Sequence, residues 1–167
     1  MEQAEKVYTK LAELGITYEV VAHPPAWTTA DADGYIEGKA GVRTKTLLLC
    51  NNRATAYYLF ITDGAKRVDM KKLGAILEVK GLRFCSEERL AAKLSLFPGA
   101  VSPFGLLNNA ERDVQVYIDK VCLDIAADCG GIVTFHPNDN TKTVFLSTDG
   151  LFKFMDHLGC IVRVIEV

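Results

Sequence analysis

Apolar residues recur at helical spacing from the start of the chain. Ala4, Val7, Tyr8, Leu11 and Leu14 share one face, and Gly15 supplies the stop, so the opening segment is predicted to be a helix. The pattern then switches. Residues 16–23 (ITYEVVAH) alternate as a strand, and the prolines that follow cannot continue a ladder. In TTADADGY, Thr and Asp offer N-caps for a short helix interrupted by Gly34 and Gly38. KTLLLCN and ATAYYLFITD read as two strands joined by NNR in a hairpin. VDMKKLGAIL reads as a helix beginning near Asp69, LRFC as a short strand, and EERLAAKL as a helix capped by Ser86. VQVYIDK and GIVTFHP are strand-like, and NDN turns the second of them into TKTVFLS as another hairpin. An amphipathic helix, TDGLFKFMDHLG, ends at Gly159, and CIVRVIEV closes the series as a strand.

These strands come largely in adjacent pairs with short turns rather than in β-α-β alternation. That order predicts an α+β fold with a mainly antiparallel or mixed sheet. No composition break, linker or repeat divides the chain, and 167 residues suffice for one core, so residues 1–167 are expected to form a single domain. The longest apolar runs, LLLC and YYLFI, are far short of the ~20 residues needed to span a bilayer. The charged N-terminal segment MEQAEKVYTK has no apolar signal core, and the expected compartment is the cytoplasm.

Charge adds one asymmetry. Between Gly64 and Lys93 stand eight basic residues against four acidic ones, in a chain whose net charge is −2. Such a segment can face phosphates, or it can be the solvated faces of two helices. The five cysteines are scattered without a C-x-x-C pair and the three histidines lie far apart, so no metal and no cofactor is expected. The serine-hydrolase elbow, the phosphate-binding loop and the dinucleotide fingerprint are all absent from the sequence.

Three features remain. Lys45 begins an apolar strand after a Gly-rich stretch, where a solvated edge is the ordinary reading. The stretch FPGAVSPFGLLNN (97–109) is dense in conformational punctuation and poor in reactive side chains. It is either a corner between elements or a place where the backbone itself works. His136 stands at a strand end before Pro137, a position that suits a structural hydrogen bond as well as chemistry.

Taken together and in order, these residues resemble the YbaK/prolyl-tRNA-synthetase-associated editing-domain family along nearly the whole chain, and within it the free-standing ProX-type deacylases. The matching stretches are LGITYEVVAHPPAWTTADAD, the Lys in GVRTKTLLLC, VDMKKL, FCSEERL, the G-x-x-x-P stretch GAVSPFGLLN and FHPNDNTKTVFLSTDGLFKFM. The resemblance implies a compact, barrel-like mixed sheet with flanking helices, and hydrolysis of mischarged tRNA without a cofactor. The partners it implies are the acceptor end of tRNA(Pro) and prolyl-tRNA synthetase; neither DNA nor a membrane is expected. One departure stands out: relatives of this type often carry Asn after the Lys, whereas this chain has Thr46, with less reach and one fewer donor.

The aminoacyl ester is already activated, so a protein need only position water and stabilise the oxyanion. On this reading Gly99, Ala100, Val101, Ser102 and Pro103 hold the aminoacyl moiety through backbone contacts, with Thr46 beside them. Lys45 acts as a point charge near the terminal ribose and phosphate, and His136 orients the substrate or a water. Lys66, Arg67, Lys71 and Lys72 become contacts for acceptor-stem phosphates. The ProX-like stretches point to alanyl-tRNA(Pro); the YbaK-like branch points to cysteinyl-tRNA(Pro). Two alternatives from other classes are a non-catalytic tRNA-binding module with the same fold and a thiol-dependent enzyme using Cys50 or Cys85.

Overall fold

The computed structural model describes residues 2–167 and carries six α-helices, one 3-10 helix and eight strands. The first helix, α1 (Gln3–Glu13), buries Ala4, Val7 and Leu11 as their spacing predicts. Strand β1 (Tyr18–Ala22) follows, then the short helix α2 (Thr29–Tyr35). A capping box starts α2: the Thr28 hydroxyl accepts from the Asp31 N–H at 3.1 Å, and the Asp31 carboxylate accepts from the Thr28 N–H at 3.3 Å. Strands β2 (Val42–Cys50) and β3 (Tyr57–Asp63) form the first hairpin.

Between β3 and its parallel neighbour β5 (Val114–Asp119) the chain makes a long crossover. It contains α3 (Met70–Leu77), the two-residue strand β4 (Arg83–Phe84), α4 (Glu87–Leu94) and the 3-10 helix Pro103–Asn108. Asp69 caps α3 by accepting from the N–H groups of Lys71 and Lys72 at 3.1 Å, and Ser86 caps α4. After β5 come α5 (Lys120–Asp128), the hairpin of β6 (Ile132–Phe135) with β7 (Lys142–Ser147), α6 (Thr148–His157) and β8 (Val162–Ile165).

The strands join into one mixed sheet in the order β1-β7-β6-β2-β3-β5-β8, with β4 added on β2. Among the described residues four of the seven pairings are antiparallel, and three are parallel: β2 with β6, β3 with β5, and β5 with β8. The α+β architecture is as expected. The barrel-like expectation needs correction, because closure requires the first and last strands of the order to pair. Here β1 and β8 end the order at opposite sides, and the sheet is open.

A large core on one face gathers Val7 and Leu11 of α1, Leu90 and Leu94 of α4, Phe104 of the 3-10 helix and Phe154 of α6 against the strands. A smaller core on the other face packs Leu73 of α3 on Leu49, Tyr58, Phe60 and Tyr117. Strand β2 supplies both: Leu48 and Cys50 enter the first core, Leu49 the second, as a period of two requires.

Candidate active site

The centre of the sheet has a gap. Strand β2 is paired with β3 from Thr44 to Cys50 on one edge. On its other edge it meets β6 at Val42 and Arg43 and β4 at Leu49 and Cys50. Residues 44–47 have no register partner on that side, and a cavity of about 340 Å³ opens there. The Leu48 carbonyl accepts from the Cys85 N–H across this edge at 3.1 Å, so by the period of two the N–H and C=O of Thr46 face the gap as well.

Lys45, Thr46, Gly99, Val101 and His136 all line this cavity, although sequence separates them by up to 91 positions. Thr46 is buried, and the Lys45 ammonium donates to the Lys66 carbonyl. His136 lies one residue past β6, and its Nδ1 is 2.7 Å from the Lys142 carbonyl. A carbonyl only accepts, so Nδ1 carries the proton and the neutral ring presents Nε2 as an acceptor. Burial holds the imidazole below its ordinary pKa; the Lys142 carbonyl pulls the other way and His23, with ring centroids 5.9 Å apart, adds to the lowering. His23 is itself fixed, with Nε2 2.8 Å from the Thr143 hydroxyl and Nδ1 2.8 Å from the Pro24 carbonyl.

Residues 23–154 match the family described as Aminoacyl-tRNA editing domain. The chain is 34% identical over 167 residues to the prolyl-tRNA editing protein ProX of Acetoanaerobium sticklandii, covering 100% of this chain and 99% of that one. It is 29% identical over 154 residues to the prolyl-tRNA synthetase associated domain-containing protein 1 of Bos taurus, covering 90% of this chain and 86% of that one. This chain belongs to the aminoacyl-tRNA editing domain family. The fold agrees with a solved structure described as a candidate trans-editing enzyme for prolyl-tRNA synthetase, with a TM-score of 0.74 at 19% identity, covering 100% of this chain and 98% of that one. Membership places the chain among the aminoacyl-tRNA deacylases, which hydrolyse a carboxylic ester.

In this editing domain the 99–103 stretch divides into two parts. Gly99 adopts φ +96°, a conformation that favours glycine, and with Val101 it reaches the cavity. Among the described residues, the N–H groups of Gly99 and Val101 have no hydrogen-bond partner. Ala100, Ser102 and Pro103 are buried and do not line the cavity. Ser102 instead caps the 3-10 helix, its hydroxyl accepting from the Phe104 N–H at 3.1 Å, with Pro103 at a position where no amide donor is needed. The stretch thus turns a corner at Ser102 and Pro103, while Gly99 and Val101 line the cavity.

The basic residues separate in the same way. The Lys66 ammonium turns inward, 2.7 Å from Asp119 Oδ2 and 2.6 Å from the Val167 carbonyl. Arg67, Lys71 and Lys72 are exposed. Cys85 lines the cavity, but burial pushes its thiol up to about 12, and Cys50 is buried beside it. Burial thus disfavours the thiolate form of Cys85 that nucleophilic attack requires.

Sequence reasoning passed over Asp33 and Trp27, both of which line the cavity. Burial raises the Asp33 carboxyl above its ordinary pKa, with Arg43 opposing. The Arg43 guanidinium is occupied by three carbonyls, those of Gly41, Ile36 and Lys39, at 3.0, 2.8 and 2.7 Å. The available signal was the capping pattern T-x-x-D, which fixes where α2 starts and therefore that Asp33 follows one turn in.

Proposed function

We propose that this editing domain hydrolyses mischarged tRNA(Pro), with alanyl-tRNA(Pro) as its substrate. The observation that carries the reading is the gap in the sheet, where free backbone donors, a lysine and a neutral histidine meet around one cavity. The names of the ProX and synthetase-associated relatives support tRNA(Pro) as the RNA, and prolyl-tRNA synthetase as the source of the error. A synthetase pocket cannot exclude amino acids smaller than its own by more than a few kcal/mol, so a second site must remove them. The apolar wall of Ile36, Leu48, Leu90 and Val101 suits a small side chain, and the ProX-like stretches of the sequence favour alanine over cysteine.

Water is the nucleophile in this reading. Its oxygen adds to the ester carbonyl carbon while His136 Nε2 accepts its proton. The oxyanion that forms is met by the N–H groups of Gly99 and Val101, which have no partner among the described residues. The bond from the carbonyl carbon to the ribose oxygen then breaks, and the proton passes from His136 to that oxygen. The products are free alanine and tRNA with its terminal hydroxyl restored. Thr46 and its main-chain groups hold the acyl carbonyl or the ribose, and Asp33 faces the α-ammonium. Lys45, held by the Lys66 carbonyl, supplies positive charge toward the terminal phosphate.

The deciding experiment measures deacylation of alanyl-, cysteinyl- and prolyl-tRNA(Pro) by the wild type and by Lys45→Ala. The alanyl ester is expected to be cleaved fastest and the prolyl ester at its spontaneous rate. Hydrolysis of none of the three above the spontaneous rate would leave the non-catalytic tRNA-binding module as the surviving reading. A Lys45→Ala variant as active as wild type would remove the site assignment while leaving the activity in place.

A further inference from the structure

Large aromatic rings stand in the open beside the cavity. Trp27 is 65% exposed and Phe84 59%, and both line the cavity; Phe97, 43% exposed, packs on Trp27 with centroids 6.0 Å apart and planes at 52°. Rings of this size are ordinarily sequestered, so their exposure together at one mouth marks a surface awaiting a partner.

The Trp27 segment is held although its ring is free. The Trp27 N–H donates to Asp31 Oδ2 at 3.3 Å. The preceding Ala26 exchanges two bonds with buried Asn140: its N–H donates to the Asn140 carbonyl at 2.9 Å, and Asn140 Nδ2 donates to the Ala26 carbonyl at 3.1 Å. Beneath the indole lies Gly99, where a Cβ would stand 3.4 Å from the ring carbon Cε3. The indole is therefore presented on a fixed support rather than left to wander, which lowers the entropy lost when something stacks on it.

We propose that Trp27, propped by Phe97 and accompanied by Phe84, is a stacking platform for the unpaired 3′-terminal bases of the RNA. The proposal rests on the deacylase reading. In an aminoacyl-RNA the ester is on the ribose, and the terminal base is one glycosidic bond from that ribose. A cavity of about 340 Å³ takes the acyl group and the sugar, so the base emerges at the mouth, where the rings are. Every base has a π-face, so such a platform holds the strand end without reading its identity. It binds ground state and transition state alike, and its loss raises KM with kcat unchanged.

Trp27 is the single tryptophan of the chain, so fluorescence excited on the red side of the tyrosine absorption reports on this ring alone. The wild type is titrated with an uncharged single-stranded RNA tetranucleotide ending in adenosine, and with the same RNA carrying an abasic 3′-terminal ribose. Saturable quenching by the first and markedly weaker quenching by the second is expected; equal quenching by both, or none, overturns the platform. In deacylation of an alanylated minihelix, Trp27→Ala is expected to raise KM by about ten- to a hundredfold while Trp27→Phe stays within about threefold of wild type. An unchanged KM in Trp27→Ala, or an equal loss in both variants, overturns it too. The exposed ring is not part of the core, so neither variant threatens folding. If the wild type hydrolyses no aminoacyl-RNA, the deacylase reading fails, and the fluorescence titration still decides the platform independently.

Discussion

Lys66 and Asp119 form an ion pair, Nζ to Oδ2 2.7 Å, in which the carboxylate is buried and the ammonium is partly screened. Asp119 Oδ2 also accepts from the Thr62 hydroxyl at 2.8 Å, and Oδ1 from the Val121 N–H at 3.3 Å, where it caps α5. The pair fixes the segment whose Lys66 carbonyl receives the Lys45 ammonium, so it positions a cavity lysine from outside the cavity. The expectation of Lys66 as a phosphate contact does not suit this inward geometry. Removing the acceptor charge in Asp119→Asn is expected to cost about 2–4 kcal/mol of stability in denaturant unfolding. The same variant lowers kcat in proportion to the misplacement of Lys45, while Lys66→Ala destabilises and leaves the salt dependence of activity unchanged.

With His136 as the base that takes the proton from water, its titration is expected to set the acid limit of activity. Its folded-state pKa lies below the ordinary 6.5, chiefly through burial. In that role the neutral ring is the working form, so activity is expected to hold above 6.5 and to fall as the pH drops through the lowered value. Stability follows the same sign: below 6.5 the unfolded chain binds a proton that the folded chain resists, so the contribution present above 6.5 is lost as pH falls. A profile of kcat/KM against pH, corrected for spontaneous hydrolysis, is expected to show an acid limb with its midpoint below 6.5. His136→Gln, which cannot titrate, removes that limb and lowers the plateau by about a hundredfold.

Most of the fold was legible because local rules agreed. The caps at Thr28, Asp69, Ser86 and Ser147 all lie where the sequence offers a short polar side chain ahead of an apolar period. Helix α5, the 3-10 helix and the openness of the sheet were not legible. Helix α5 follows β5 without a turn residue, so VQVYIDK reads as strand running into nothing, and the Asp119 that caps α5 is also the last residue of that strand. The open sheet could not be read either, since pairing of β2 with β6, and of β5 with β8, joins segments distant in sequence. The same limit applies to the site. Lys45 and His136 are visible as residue types, but the gap that unites them exists only because β6 stops pairing at Arg43 and β4 begins at Leu49.

Exposed Arg67, Lys71 and Lys72 differ from Lys66 in a way that salt can measure. Lys71 and Lys72 open α3, whose first N–H groups are already held by Asp69, so their ammonium groups project from a fixed helix start. If they meet acceptor-stem phosphates, each releases about one counterion on binding. Replacing both with Gln is then expected to reduce the slope of log kcat/KM against log salt by about two, at little cost in thermal stability. An unchanged slope assigns this face to ordinary solvation.

Asp33 is the acidic group left over at the cavity. Arg43, whose charge acts on Asp33, spends its guanidinium on three carbonyls, and no ion pair to Asp33 occurs among the described residues. A half-buried carboxylate without a partner is costly, and a substrate that brings an α-ammonium relieves that cost. The wild type is therefore expected to prefer alanyl-tRNA(Pro) over its N-acetylated form by about ten- to a hundredfold in kcat/KM. Asp33→Asn keeps the shape and removes the charge, so it is expected to slow the free-amine substrate and to leave the acetylated one nearly unaffected, collapsing the ratio toward one. A ratio that survives the substitution would assign recognition of the amine to the carbonyls of the Gly99–Val101 stretch instead.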